Sequence, residues 1–186
     1  MDMNQVYRDL ALEYFPNAKL VIDKFHVVRY VTWALENVRK RIQKQMHPSK
    51  RRYFKRSRRL LLTHRKKLNE EGVLALEVML QQSPDLATAY HLKELFYEFM
   101  ESESREEAVH RLKFFRIAAQ ASELEEFDPC LTMLANWAKY ILNAFECPYT
   151  NGYTEGTNNA IKVIKRNAFG YRNFSNFRNR IFLALT

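Results

Sequence analysis

Residues 18–45 read AKLVIDKFHVVRYVTWALENVRKRIQKQ, and the two parts of this stretch obey different periods. Ala18–Asp23 is a short apolar run with β-branched Val21 and Ile22, which predicts a buried strand with an acid at its exit. From Phe25 the apolar positions recur at helical spacing to about Gln45. That helix is predicted to bury Phe25, Val28, Val31, Trp33 or Leu35, Val38 and Ile42. Upstream, Val6, Leu10, Ala11 and Tyr14 set a helix over Met3–Phe15 that Pro16 ends. Downstream every pattern is helical. A lone strand cannot satisfy its own backbone donors and acceptors. The prediction is therefore a mainly α chain with one strand, paired with a second copy or belonging to a sheet whose other strands are missing here.

His47-Pro48-Ser49 breaks the long helix, and Lys50–Leu68 is predicted as a basic helix with Tyr53, Leu60 and Leu61 on its apolar side. Further helices are predicted near 70–82, 84–101, 104–121 and 126–146. Pro84 and Pro129 suit first turns, and Ser104 and Glu107 have capping-box spacing. After a loop at 148–152, a helix is predicted over Glu155–Asn167, capped by Thr154 or Asn151 and followed by a stop at Gly170. A last helix over Asn173–Leu185 would place Phe174, Phe177, Ile181 and Leu185 on one side. With 4 Gly and 5 Pro in 186 residues, a many-turned β architecture is excluded. No apolar run reaches the ~18 residues of a membrane span and the start lacks a signal peptide's apolar core, so a cytoplasmic location without membrane contact is expected. Cys130 and Cys147 have no Cys-x-x-Cys partner, which predicts reduced thiols.

Charge is strongly segregated. Residues 37–69 carry fourteen Lys or Arg and no acid, residues 70–128 fourteen acids against five bases, and residues 129–186 seven bases against two acids. The net +9 points to an anionic partner, nucleic acid before membrane. Arg51, Arg52, Lys55 and Arg56 lie within the first basic block as candidate phosphate contacts, while the acidic helices would face solvent or another protein.

The segment from Tyr149, YTNGYTEGTNNAIKVIKRNAFGYRNFSNFRNRI, holds one carboxylate, Glu155, and no acid follows it. Asn158, Asn159 and Lys162 lie at i+3, i+4 and i+7, on the same helix face. Lys165, Arg166 and Arg172 continue the cationic character, and Tyr171 and Arg172 suit a phosphate contact or helix packing. A lone acid among amides and cations suits a metal ligand facing a polyanion. The plainer reading is a first-turn acid stabilised by the helix dipole.

The segments MDMNQVYRDLALEYFPNAKLVIDKFHVVRY and NGYTEGTNNAIKVIKRNAFGYRNFSNFRNRIFLAL together resemble the ISL-three family of bacterial insertion-sequence transposases. That resemblance implies the C-terminal portion of a ribonuclease-H-like α/β catalytic domain with few strands. Residues 1–36 and 147–186 would be remnants of its core, and 37–146 a helical insertion. It implies a DDE carboxylate set in which Asp2 matches the second acid and Glu155 the third, both as metal ligands, with the first upstream. Asp23 and His26, in Asp-Lys-Phe-His, match a motif close to the active site, and Asp23 could exchange roles with Asp2. The implied cofactor is Mg²⁺ or Mn²⁺, and the implied reaction is DNA strand cleavage and transfer. Without the upstream acid the chain is expected to be inactive alone, and its open strand to lead to self-association or unstable expression unless the helices cover it. The alternative is a non-enzymatic basic helical module that binds nucleic acid or a transposase partner.

Overall fold

The computed structural model describes residues 1–56, 58–147 and 152–185, with the side chains of 53, 55 and 56 left aside. Asn151, one of the two expected caps, and most of the expected 148–152 loop lie outside the described residues. The chain divides into two compact units, Met1–Pro148 and Tyr149–Thr186.

In the first unit α1 spans Gln5–Tyr14, α2 Lys24–Lys44, α3 Pro48–Arg56, α4 Arg58–Leu62, α5 Glu70–Leu80, α6 Pro84–Met100, α7 Arg105–Ala121 and α8 Asp128–Leu142. The second unit holds α9, Gly152–Asn167, and α10, Phe174–Leu185. Local chemistry explains most boundaries. Ser83 Oγ accepts from the Leu86 amide ahead of Pro84. Ser104 Oγ accepts from the Glu107 amide as expected, and Glu107 reaches back to the Glu103 amide, one residue before the bond of a regular capping box. Thr154 lies inside α9 rather than capping it, because the helix begins at Gly152.

The core is built on α2 and α6, with α7 and α8 packed around them. Val27, Val31, Leu35, Val38, Leu86, Phe96, Phe99 and Phe115 are fully enclosed. Of the expected α2 stripe, Val31, Leu35, Val38 and Ile42 are buried, Leu35 rather than Trp33 takes the inward place, and Phe25 is exposed. Val27 and Ala34 join this buried face, while Val28 is only half-buried. On α1 none of the apolar stripe is buried.

The predicted strand is the main correction. No strand forms among the described residues; 18–23 is an extended connection into α2. Its backbone groups are satisfied one by one rather than by a ladder. The Ile22 amide donates to Tyr140 O (3.3 Å), and Asn143 Nδ2 donates to Leu20 O (2.7 Å). On the other side the Met1 ammonium donates to Val21 O (2.7 Å) and the Asp23 amide to Met1 O (3.1 Å). This two-bond step around Ile22 has the pattern of a single parallel-strand pairing.

The predicted basic helix 50–68 ends at Leu62 and is followed by a 3₁₀ turn at Arg65–Lys67; Ser57, between α3 and α4, lies outside the described residues. A buried polar ridge on α2 holds α3. Arg39 donates to Glu36 (2.9 Å), to Gln43 Oε1 (2.9 Å) and to Phe54 O (3.5 Å); Gln43 Nε2 donates to Arg51 O (3.1 Å). A second device holds α4. Lys93 of α6, with no exposed surface, donates to Leu61 O (3.0 Å) and Thr63 O (2.8 Å), and Tyr97 donates to Leu62 O (3.1 Å). These donors fill carbonyls that a helix end leaves unpaired. His64, also buried, lies with Nδ1 2.6 Å from Glu94 and Nε2 3.3 Å from Glu101.

In the second unit Ile161, Ile164, Phe177 and Ile181 are half-buried, and α9 and α10 contact each other. Tyr171 stacks on Phe177 at 4.9 Å, which assigns its ring to packing. Phe174 and Leu185 of the expected α10 face are exposed. The turn between the helices is closed by Gly170 N–H donating to Lys165 O (3.0 Å) and Phe169 N–H to Arg166 O (3.0 Å). Gly170 has φ 95°, and Phe169 sits at φ 51°. A side chain at such a φ costs roughly 1–2 kcal/mol.

Candidate functional site

Two groups of residues carry the expected chemistry in the first unit. The acidic group surrounds the start of α2. Asp2 is 61% exposed and its Oδ1 lies 3.3 Å from His26 Nε2, so the structure brings together two residues 24 positions apart. The imidazole sits in the first turn of α2, where it packs edge-on to Phe25. Asp23 has a different task. It is the N-cap of α2, and its Oδ1 accepts from the Phe25 amide at 2.8 Å. Among the described residues no group of three or more His, Cys, Asp or Glu converges in the manner of a preformed metal cage.

The basic group is less uniform than its sequence. Several of its cations are consumed inside the fold. Arg39 and Arg58 both bind Glu36, Arg41 bridges Asp85 (2.8 Å) and Glu126 (2.6 Å), Arg65 pairs with Glu77 (2.6 Å) and Lys66 with Glu101 (2.9 Å). Burial pushes the Glu36 carboxyl upward, but Arg39 and Arg58 outweigh it and hold the group below the ordinary carboxylate range. The acidic middle of the chain therefore does not only face outward; part of it neutralises the basic block. Left over are Lys40, Lys44, Lys50, Arg51, Arg52 and Arg59, all exposed and with no carboxylate partner among the described residues. Lys40 and Lys44 share a face of α2 at i, i+4 spacing. The side chains of Lys55 and Arg56 lie outside the described residues.

In the second unit Glu155 occupies the first turn of α9 and is exposed, as are Asn158, Asn159, Lys162, Lys165, Arg166 and Arg172. Glu155, Asn158, Asn159 and Lys162 keep the helical register that puts them on one face.

Sequence reasoning missed Lys40, Lys44, Lys50 and Arg59 as the free part of the basic block. Charge alone does not say which cations a fold will pair. It also gave no role to His64 or Lys93, since their partners come from segments about thirty residues away.

A family model for DDE transposases of the ISL-three type, described as a transposase, matches residues 1–181. The chain is 31% identical over 179 residues to the transposase for insertion sequence element IS1001 of Bordetella parapertussis, covering 92% of this chain and 43% of that protein. A second relative, a Lactococcus lactis subsp. lactis protein named ATP-dependent protease, is 47% identical over 55 residues, 28% of this chain and 18% of that protein. No solved structure matches. The chain belongs to the ISL-three family of transposases. It spans less than half the length of the curated relatives it matches. No helix among the described residues is long and apolar enough to cross a membrane.

Proposed function

We propose that the chain supplies part of a transposase catalytic domain that cuts and joins DNA strands with a divalent metal, on a ribonuclease-H-like frame. The observation that carries this reading is the match of the transposase family model to residues 1–181, in a chain where Asp2 and Glu155, the acids the resemblance singles out, are each exposed. The single parallel pairing step at Met1, Val21 and Asp23 is consistent with such a frame.

Asp2 and Glu155 are each exposed and each would offer a hard oxygen donor of the kind that Mg²⁺ or Mn²⁺ takes. When bound, such ions stabilise the attacking and leaving oxygens of an in-line phosphoryl displacement. The protein's own residues would prepare that step. His26 orients Asp2 through their 3.3 Å contact, and Asp23 fixes the first turn of α2 so that His26 stays in reach. Asn158, Asn159 and Lys162 would hold the phosphate next to Glu155. Lys40, Lys44, Lys50, Arg51 and Arg52 would track the DNA backbone, together with Lys55, Arg56, Lys165, Arg166 and Arg172. Such contacts weaken steeply as salt rises.

The test is binding to duplex DNA by fluorescence anisotropy over a salt series, with the Mn²⁺ affinity followed in parallel. Replacing Arg51 and Arg52 by Ala is expected to reduce the slope of log affinity against log salt by about 2. Asp2→Asn and Glu155→Gln are each expected to weaken Mn²⁺ binding at least about tenfold. A slope that does not move returns α3 to a solvated face. Unchanged Mn²⁺ affinity in both acid variants removes them as ligands.

A further inference from the structure

We propose that Phe169 is a stacking wedge for an unpaired DNA base, held out by the rigid turn between α9 and α10. This rests on the DNA reading above and assigns one residue a task that reading does not contain.

Two observations meet at Phe169. Its ring is fully exposed, at 102% relative accessibility, and its backbone stands at φ 51°, where glycine is the comfortable residue. A bulky side chain in that conformation is an outlier, and here no packing repays it. The neighbouring position is already a glycine, Gly170 at φ 95°, so the turn itself does not need a phenyl ring.

The turn is also stiff. Phe169 and Gly170 N–H groups close onto Arg166 O and Lys165 O, Tyr171 is pinned on Phe177, and Asn173 Oδ1 accepts from the Ser175 amide at 2.8 Å to start α10. A ring projected from a stiff base loses little freedom on binding. That is the condition under which a single aromatic contact contributes most.

The surroundings select the partner. Lys165, Arg166 and Arg172 lie within four residues of Phe169 in the chain and are exposed, and the sequence holds no acid after Glu155. An apolar protein pocket would have to bring its own negative charge. A nucleic acid strand brings phosphates for the cations and, once a base is unpaired, a π face for the ring; fully paired duplex hides its base faces. Unpaired bases are what a frayed or cleaved DNA end offers.

The experiment compares the full chain's affinity for two DNAs of equal length, one fully paired and one ending in several unpaired nucleotides, with 2-aminopurine placed in the unpaired stretch. The wild-type chain is expected to prefer the unpaired end about tenfold and to change the 2-aminopurine emission on binding. Phe169→Gly and Phe169→Ala are expected to bring the two affinities together and to abolish the emission change, while Phe169→Trp restores both. Helical content and thermal midpoint of Phe169→Gly should be equal to or above wild type, because glycine relieves the backbone.

A lowered midpoint in Phe169→Gly makes the ring a packing anchor and overturns the proposal. So does an unpaired-end preference that survives in Phe169→Gly, or a wild-type chain without one. A molecular mass that drops from dimer to monomer on Phe169→Gly assigns the ring to a protein interface instead. If the wild-type chain binds neither DNA, the wider DNA reading falls with it; if it binds both equally, only the wedge falls.

Discussion

Lys93 shows how much one side chain can hold. Its ammonium has no exposed surface, lies 4.0 Å over the Tyr90 ring, pairs with Glu94 at 2.6 Å and fills two carbonyls at the end of α4. Burial lowers its affinity for a proton, which the Glu94 carboxylate opposes. Glu94 is pushed up by the same burial, yet Lys93, Tyr90 and the Arg65 amide overcompensate and hold it below its ordinary 4.5. Lys93→Met takes the cation from a half-buried carboxylate and leaves two carbonyls unfilled, so we expect a loss of about 3 kcal/mol in urea unfolding. The pH dependence has a definite sign. A depressed carboxylate stabilises the fold above its unfolded value, and that stabilisation is lost as pH falls through the folded value. Unfolding free energy should therefore decline below about 4.5, and the part due to this site should vanish in Glu94→Gln. A flat profile in the wild type, or an equal decline in the variant, would exclude Glu94 as the source.

At the scale of elements, the start of α2 joins structure to the candidate chemistry. Asp23 was legible as an acid at the exit of an apolar run, but sequence could not separate a cap from a ligand. The 2.8 Å contact to the Phe25 amide shows a cap. Asp23→Ala should cost about 1 kcal/mol of stability and Asp23→Ser much less, measured by thermal unfolding. The two variants also divide the roles. If Asp23 acts only through the cap, Asp23→Ser keeps the Mn²⁺ affinity of the wild type; if it drops as far as Asp2→Asn does, Asp23 touches the metal. The basic segment teaches a similar lesson. The helix expected as far as Leu68 ends at Leu62, where Lys93 and Tyr97 fill the carbonyls of Leu61, Leu62 and Thr63.

Over the whole molecule, nearly all enclosed side chains belong to Met1–Pro148, while neither α9 nor α10 buries a residue. A chain cut to residues 1–148 is expected to unfold cooperatively near the midpoint of the full chain, and a 149–186 peptide to show no cooperative transition. Loss of cooperativity in the 1–148 chain would mean that the second unit carries part of the core.

The helical class and most helix ends followed from sequence alone, since caps such as Ser83, Ser104 and Asn173 act on amides two or three residues away. The family was legible too, through motifs at both ends of the chain. What needed tertiary structure were the non-local terms. Val27 displaces Phe25 from the core because the neighbours on α6 and α8, not the period of α2, choose which stripe is enclosed. The apolar run at 18–23 has strand composition, but Tyr140, Asn143 and Met1 take its backbone groups singly and leave no ladder. Which cations stay free depends on carboxylates far away in the chain: Arg41 is consumed by Asp85 and Glu126, while Lys40 beside it on α2 remains open to a phosphate. Local hydrogen bonds are written in neighbouring letters; pairing across about forty residues or more is fixed only when the helices pack.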